Sequence, residues 1–269
     1  MYRIFPSFQR ASVTNTQVKY VTHIMKISHS IIIIVLLIFG LNYLLITPLW
    51  HIEDSILEIF FSIFSIIYAI VAGFVIMVLL ENYNAINAYI WAEINALQDL
   101  RDYLVYVDNQ DEVVDKIKRT VKIYAESVIE KEWPEMVSSS KVDMDTSAEI
   151  YEVMKSINKI EITNQSDTVA LSKLIDTVGN ITTHRTNRLY SSYEKLPFLL
   201  MLFIIISSFL VVFIFTLLPI QDTIIRFLLN WVNIFAVVFI YIIIWDLSHP
   251  FNGTWSISNE PYRDFLTKM

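Results

Sequence analysis

The stretch Ser55–Val105, SILEIFFSIFSIIYAIVAGFVIMVLLENYNAINAYIWAEINALQDLRDYLV, decides the fold, because it turns from apolar to polar half-way along without a proline or a helix-stopping cluster. Ile56–Leu80 is nearly all apolar and, at about 25 residues, long enough for a tilted membrane span. In the polar half Ile86, Ile90, Ile94, Leu97, Leu100 and Leu104 recur every three or four residues, the spacing of one buried stripe on a helix. The pattern predicts one helix that leaves the membrane and runs on in the cytosol to near Val107. The rest of the chain is expected to pack against it.

Composition agrees with a membrane protein. Of 269 residues 55% are hydrophobic and only 17% charged, and the mean hydropathy of +0.50 exceeds that of an ordinary soluble domain. The net charge of −7 resides in residues 81–195, where acids outnumber bases, while the rest of the chain balances. No basic patch points to nucleic acid. The chain has no cysteine and only four glycines, which excludes disulfides, thiolate metal sites and glycine-rich phosphate loops.

Residues 1–29 carry Arg3, Arg10, Lys19 and Lys26 without an acid, so this segment is expected on the cytosolic side, with Val18–Ile27 as an interfacial helix. The apolar run Ile31–Ile46 ends in Pro48 and Trp50 rather than at a small-residue cleavage site, and reads as a retained first span. Residues 30–80 thus hold two spans. Residues 81–195 form a cytosolic helical module, residues 196–245 two further spans, and residues 246–269 a cytosolic tail. The predicted class is all-α: four transmembrane helices, a helical bundle and both termini inside, in a plasma membrane or bacterial inner membrane.

Capping signals punctuate the module. Ser55 with Glu58, Asn109 with Glu112 and Thr146 with Glu149 have S/T/N-x-x-E spacing, and Asp167 or Thr168 is placed to cap a further helix. Val114, Ile117, Val121, Tyr124 and Val128 form one bundle seam, which Pro134 is expected to break or kink beside Trp133. Ile150, Val153, Ile157 and Ile160 form a second stripe, and Leu171, Leu174, Val178 and Ile181 a third. The last helix is expected to run into the third span with a kink at Pro197.

The five histidines are scattered, and neither H-E-x-x-H nor G-x-S-x-G is present, so no enzyme, metal site or cofactor is expected. Asp143 and Asp145 look like the opening of a calcium loop but lack its glycine and downstream glutamate. Two groups remain. Phe60, Phe64 and Tyr68, four residues apart on the second span, read as packing residues or as the neck of a shared pore. Asp246 faces the negative end of its helix dipole at the edge of the hydrocarbon and needs a partner, with Arg185, Arg188 and Lys195 as candidates. Pro250 and Gly253 then let the tail turn back along the bundle.

An ordered set of short motifs carries a resemblance: A-E-I-N-A-L-Q-D-L-R at Ala92–Arg101, I-E-K-E-W-P at Ile129–Pro134, R-T-N-R-L at Arg185–Leu189 and D-L-S-H-P-F-N-G at Asp246–Gly253. Over roughly residues 56–269 the chain resembles the bestrophin-like family of four-span membrane proteins. The resemblance marks Glu93, Glu132, Trp133, Pro134, Arg185, Arg188, Asp246, Pro250, Phe251 and Gly253 as family-signature, structural positions. Bestrophins are pentameric anion channels with the pore along the second span. The resemblance therefore implies a homo-oligomer, a pentamer by that likeness, which conducts inorganic anions such as chloride past Phe60, Phe64 and Tyr68. The alternative is a non-conducting scaffold or sensor that binds a protein partner through the bundle.

Overall fold

The computed structural model describes residues 54–108, 110–138, 145, 147–194, 196–218 and 220–269. The expected first span, the interfacial helix and the basic residues before them lie outside this set, as do Asn109, Asp143, Thr146 and Lys195. Among the described residues all regular structure is helical. The chain divides into two compact units, one holding residues 54–72 and 201–241, the other residues 73–200 and 242–269.

Helix α1, Asp54–Tyr103, is continuous and closes in a 3-10 turn at Leu104–Tyr106, so the apolar and polar halves of the decisive stretch do belong to one helix. Asp54 is already helical, so Ser55 lies within the helix and not at the cap expected of it. Among the described residues three stretches are long and apolar enough to cross a membrane: Ser55–Tyr106, Gln165–Leu217 and Thr223–Leu247. Their apolar portions sit on α1, on α6 (Phe198–Leu217) and on α7 (Thr223–Leu247).

The polar bundle is built on four stripes. On α1, Ile86, Ile90, Ile94, Leu97, Leu100 and Leu104 are all buried, and each contributes about 1.5–3 kcal/mol by leaving water. Helix α2, Asp111–Ser127, adds Ile117, Val121 and Tyr124, with Val128 just beyond its end. Then α4, Ala148–Ile157, adds Ile150, Val153 and Ile157, and α5, Gln165–Tyr193, adds Leu174, Val178 and Ile181. A last helix, α8 at Glu260–Thr267, inserts Tyr262 and Phe265 into the same core.

Helix ends depart from the expected signals by a few residues. Gln110 precedes α2 but does not cap it. Its side-chain amide instead bridges the backbone of Glu161, donating to the carbonyl and accepting from the N–H at 2.8 Å each. Ser147 caps α4 by accepting from the Ile150 N–H at 3.2 Å. The cap of α5 is Asn164, with Asp167 as the third helical residue of a reciprocal capping box. Asp167 has the spacing of a cap but serves the turn from inside it, accepting from the N–H groups of Thr163, Asn164 and Asp108.

Two prolines act differently from expectation. Pro134 does not end its helix. A π-helical turn at Val128–Glu132 comes first, with the Trp133 N–H bonded to the Val128 carbonyl five residues back, and α3, Trp133–Val137, carries Pro134 in its first turn. The N–H that proline lacks thus falls directly after the π turn, where the hydrogen-bond ladder is already shifted. Pro197 produces a break rather than a kink: α5 stops at Tyr193, Glu194 is extended and α6 restarts at Phe198. The proline restricts Leu196 before it to extended backbone, so the helix does not restart ahead of Pro197.

Asn164→Ala removes one side of the α5 capping box and should lower stability by about 1 kcal/mol. Thermal unfolding of the purified chain, followed by circular dichroism, checks this; an unchanged Tm would show that Asp167 alone holds the turn.

Candidate functional site

At the centre of the polar bundle lies a guanidinium with no exposure to solvent. Arg188, on α5, donates from Nε to Glu93 Oε2 at 2.9 Å and from Nη2 to Glu132 Oε2 at 2.7 Å. Its third nitrogen reaches Met136 Sδ at 3.6 Å. Arg185, one turn earlier, donates from Nε to the other oxygen of Glu132 at 2.7 Å and from Nη1 to the Asp145 carbonyl at 2.9 Å. Two guanidinium groups and two carboxylates thus alternate in a chain whose formal charges cancel. Neutrality is the condition on which such a group can be buried, because an isolated ion would cost several kcal/mol.

The four members arrive from three elements. Glu93 stands on α1 between the stripe residues Ile90 and Leu97, and Glu132 closes the π turn, which widens the helix and brings that carboxylate inward beside Trp133. Arg185 and Arg188 follow Ile181 on the buried side of α5. Two tyrosines complete the shell. The Tyr124 hydroxyl donates to Glu93 Oε1 at 2.5 Å. The Tyr262 ring lies 5.6 Å from the Arg188 guanidinium carbon, within cation–π range, and its hydroxyl sits near Glu93 without closing a hydrogen bond. Burial, then the adjacent Glu93 carboxylate, pushes the Tyr124 phenol well above its ordinary range. Burial does the same to Tyr262, with Arg188 opposing it. Both stay neutral donors when exposed tyrosines ionise.

Trp133 joins this cluster to the C-terminal segment. Its ring meets Phe251 edge-on at 5.3 Å and Tyr262 at 6.1 Å, packing worth about 0.5–1.5 kcal/mol per pair beyond area burial. Asp246 near the end of α7 does not use Arg185 or Arg188, whose bonds go to Glu132 and Glu93. Its carboxylate accepts from the backbone N–H groups of Thr254 and Trp255, so the backbone of the segment that follows α7 meets its charge. The Pro250 carbonyl accepts from Ile257 N–H at 2.8 Å and closes the turn. Gly253 is required by contact: a Cβ there would stand 2.6 Å from Asp246 Oδ1 and 2.9 Å from the Asp246 carbonyl oxygen.

The aromatic row on α1 divides. Phe60 is half exposed and stacks on Phe64 at 6.2 Å, whereas Tyr68 is only 5% exposed. Residues four apart drift about 40° around a helix, so Phe60 and Tyr68 are turned about 80° from each other. Of the signature positions, Glu93, Glu132, Arg185 and Arg188 share the ion chain, Trp133 meets Phe251 ring to ring, and Asp246, Pro250 and Gly253 build the turn of the C-terminal segment, while Phe60, Phe64 and Tyr68 belong to the other unit. Tyr124 and Tyr262 were not legible as part of the site; an aromatic with a polar tip on a core stripe was the available signal. Among the described residues no group of His, Cys, Asp and Glu is arranged to hold a metal ion.

Long apolar helices joined to a polar bundle with a buried arginine–carboxylate core define a helical membrane protein. Residues 29–262 match the family model described as the bestrophin-like domain, and the chain belongs to that family. No curated protein and no solved structure matches it.

Removing one ion should cost more than removing a pair. Arg188→Met leaves the buried Glu93 carboxylate without a cation, while Glu132 keeps Arg185, and should destabilise by about 3–5 kcal/mol, whereas adding Glu93→Gln should restore part of the loss. Melting curves of both variants decide this, and a double variant no better than the single one would refute the pairing.

Gly253→Ala should lower the Tm while Gly253→Ala with Asp246→Ala recovers part of the shift, because the clash is with Asp246 itself. An unshifted single variant would show that the turn yields freely.

Proposed function

We propose that the chain forms a homo-oligomeric membrane ion channel that conducts small inorganic anions such as chloride, with Phe60 and Phe64 facing a shared axis. The observation that carries this reading is membership of the bestrophin-like family over residues 29–262. By the bestrophin likeness the assembly is a pentamer with four spans per chain. Both termini and the bundle then face the cytosol of a plasma or bacterial inner membrane. Three long apolar helices supply the membrane-crossing part. Phe60, exposed and stacked on Phe64, offers an apolar ring for a hydrophobic constriction. Tyr68, enclosed by its own chain, is left out of this neck. In this reading the neutral core around Arg188 is a scaffold that fixes the direction of α1.

A second reading, a non-conducting scaffold or sensor, draws support from apolar side chains that the bundle leaves uncovered. Val105 is 77% exposed, and Tyr106 and Ile162 are each 59% exposed. Together they would suit a protein partner.

Purified protein in a planar bilayer under a potassium chloride gradient should show a reversal potential near the chloride equilibrium value, and Phe60→Ala or Phe64→Ala should raise conductance. A potential near the potassium value would discard the anion assignment. No current from correctly folded protein would favour the scaffold.

A further inference from the structure

After α7 ends at Leu247 the chain turns back beside the end of that helix. The Thr254 and Trp255 N–H groups both donate to the Asp246 carboxylate, Trp255 at 3.1 Å. Ile257 N–H donates to the Pro250 carbonyl at 2.8 Å and closes the loop, with Phe251 and Ile257 buried in the bundle core on either side of it. Trp255 is thus held between two inward anchors, yet it is 57% exposed. A hydrogen-bonded turn fixes this large amphipathic ring toward a surface that the chain itself does not supply.

Its place in the chain says which surface. Helix α7 is long and apolar enough to cross a membrane, and Asp246 stands in its last turn, so Trp255 lies level with the point where that helix leaves the hydrocarbon. A short turn joins α6 to α7, which puts the start of α6 on the same side, and there Phe198 and Leu199 are 76% and 77% exposed. Trp245, tilted against His249 at 4.4 Å, adds a second indole at this end of α7. Residues 247–259 contain no acid and no Lys or Arg, and Thr254, Ser256 and Ser258 are exposed. A neutral turn with outward hydroxyls and one outward indole has the chemistry of the headgroup layer, where such a ring lies half in hydrocarbon and half in water. Trp91 makes the contrast: it is 55% exposed but stands about 16 Å beyond Leu80 along α1, outside a headgroup layer of roughly 5–7 Å.

We propose that the turn at residues 248–256 docks through Trp255 on the lipid headgroup layer at the bundle's side of the membrane, a surface it recognises by an amphipathic ring and hydroxyls and not by charge. The ring lies against the end of α7, so the bilayer that covers that helix reaches it without a further partner. The assignment is independent of conduction and holds for a channel and a scaffold alike. A few residues on, the same segment enters the bundle as α8 and sets Tyr262 against Arg188. The bilayer surface and the buried ion chain therefore bear on one short piece of backbone.

The test uses the full chain in phosphatidylcholine vesicles, with the emission of Trp255 taken as the difference between the wild type and Trp255→Phe. That difference should be blue-shifted, lost when the lipids are brominated near the headgroup, less affected by bromine at the chain end, and little affected by iodide in the water. The corresponding difference for Trp91→Phe should not respond to brominated lipid. Trp255 emission quenched by iodide and not by lipid would leave the turn in water and overturn the site. Emission shielded from both quenchers would mean a covering protein, a second copy included, and would overturn it equally, as would Trp91 and Trp255 responding alike to lipid. Trp255→Tyr gives the same subtraction should circular dichroism show the phenylalanine variant misfolded.

Discussion

The polar bundle depends on one buried guanidinium. Arg188 is held by carboxylates from α1 and from the π turn, and its face is covered by a tyrosine from α8, so elements far apart in the chain must all be in place before its charge is compensated. Hydrophobic stripes can slide by a turn at modest cost. A buried ion chain cannot, because every partial arrangement leaves a charge in a medium of low dielectric. The stripes supply most of the stabilisation, and Arg188 selects the single packing in which they are used.

What the sequence displayed follows from the range of the physics. The continuity of α1 and three of the buried stripes were legible because periodicity is local: Ile86 to Leu104, Ile150 to Ile157 and Leu174 to Ile181 announce their own faces. Caps were nearly legible. Asp167 has the chemistry of a cap, but Asn164 occupies that position, since several short polar residues in a row can serve and only the backbone chooses among them. The pairing of Arg188 with Glu93 spans 95 residues and has no local signature. One clue was present: Glu93 interrupts an otherwise apolar stripe, and a charge on a buried face needs a partner from elsewhere. Asp246 raised the same question and had a nearer answer, since backbone N–H groups of its own segment were available and a distant arginine was not needed. The row of Phe60, Phe64 and Tyr68 winds around α1, because a four-residue step advances about 40° past a full turn.

Gly253 and Pro250 give the C-terminal segment its course in the bundle. The glycine admits the Asp246 carboxylate to the backbone, the proline ends α7, and the chain is then free to bring Tyr262 against Arg188. The segment that ends the described chain is therefore part of the core, and the charge cluster is complete only once it has docked.

The π turn at Val128–Glu132 has a further consequence, which concerns chain length rather than residue type. A helix that continued as an ordinary α-helix through this segment would carry Glu132 around by about 100° for each residue gained or lost. The extra residue in the turn is what sets the angle between the seam of α2 and the inward side of Glu132 and Trp133. Deleting any one residue between Tyr124 and Trp133 would straighten the helix, a change favourable to its own hydrogen bonds, and would turn the carboxylate out of the core. In this segment the fold counts residues as strictly as it chooses them, so relatives that share the buried arginine should vary there by substitution and not by length.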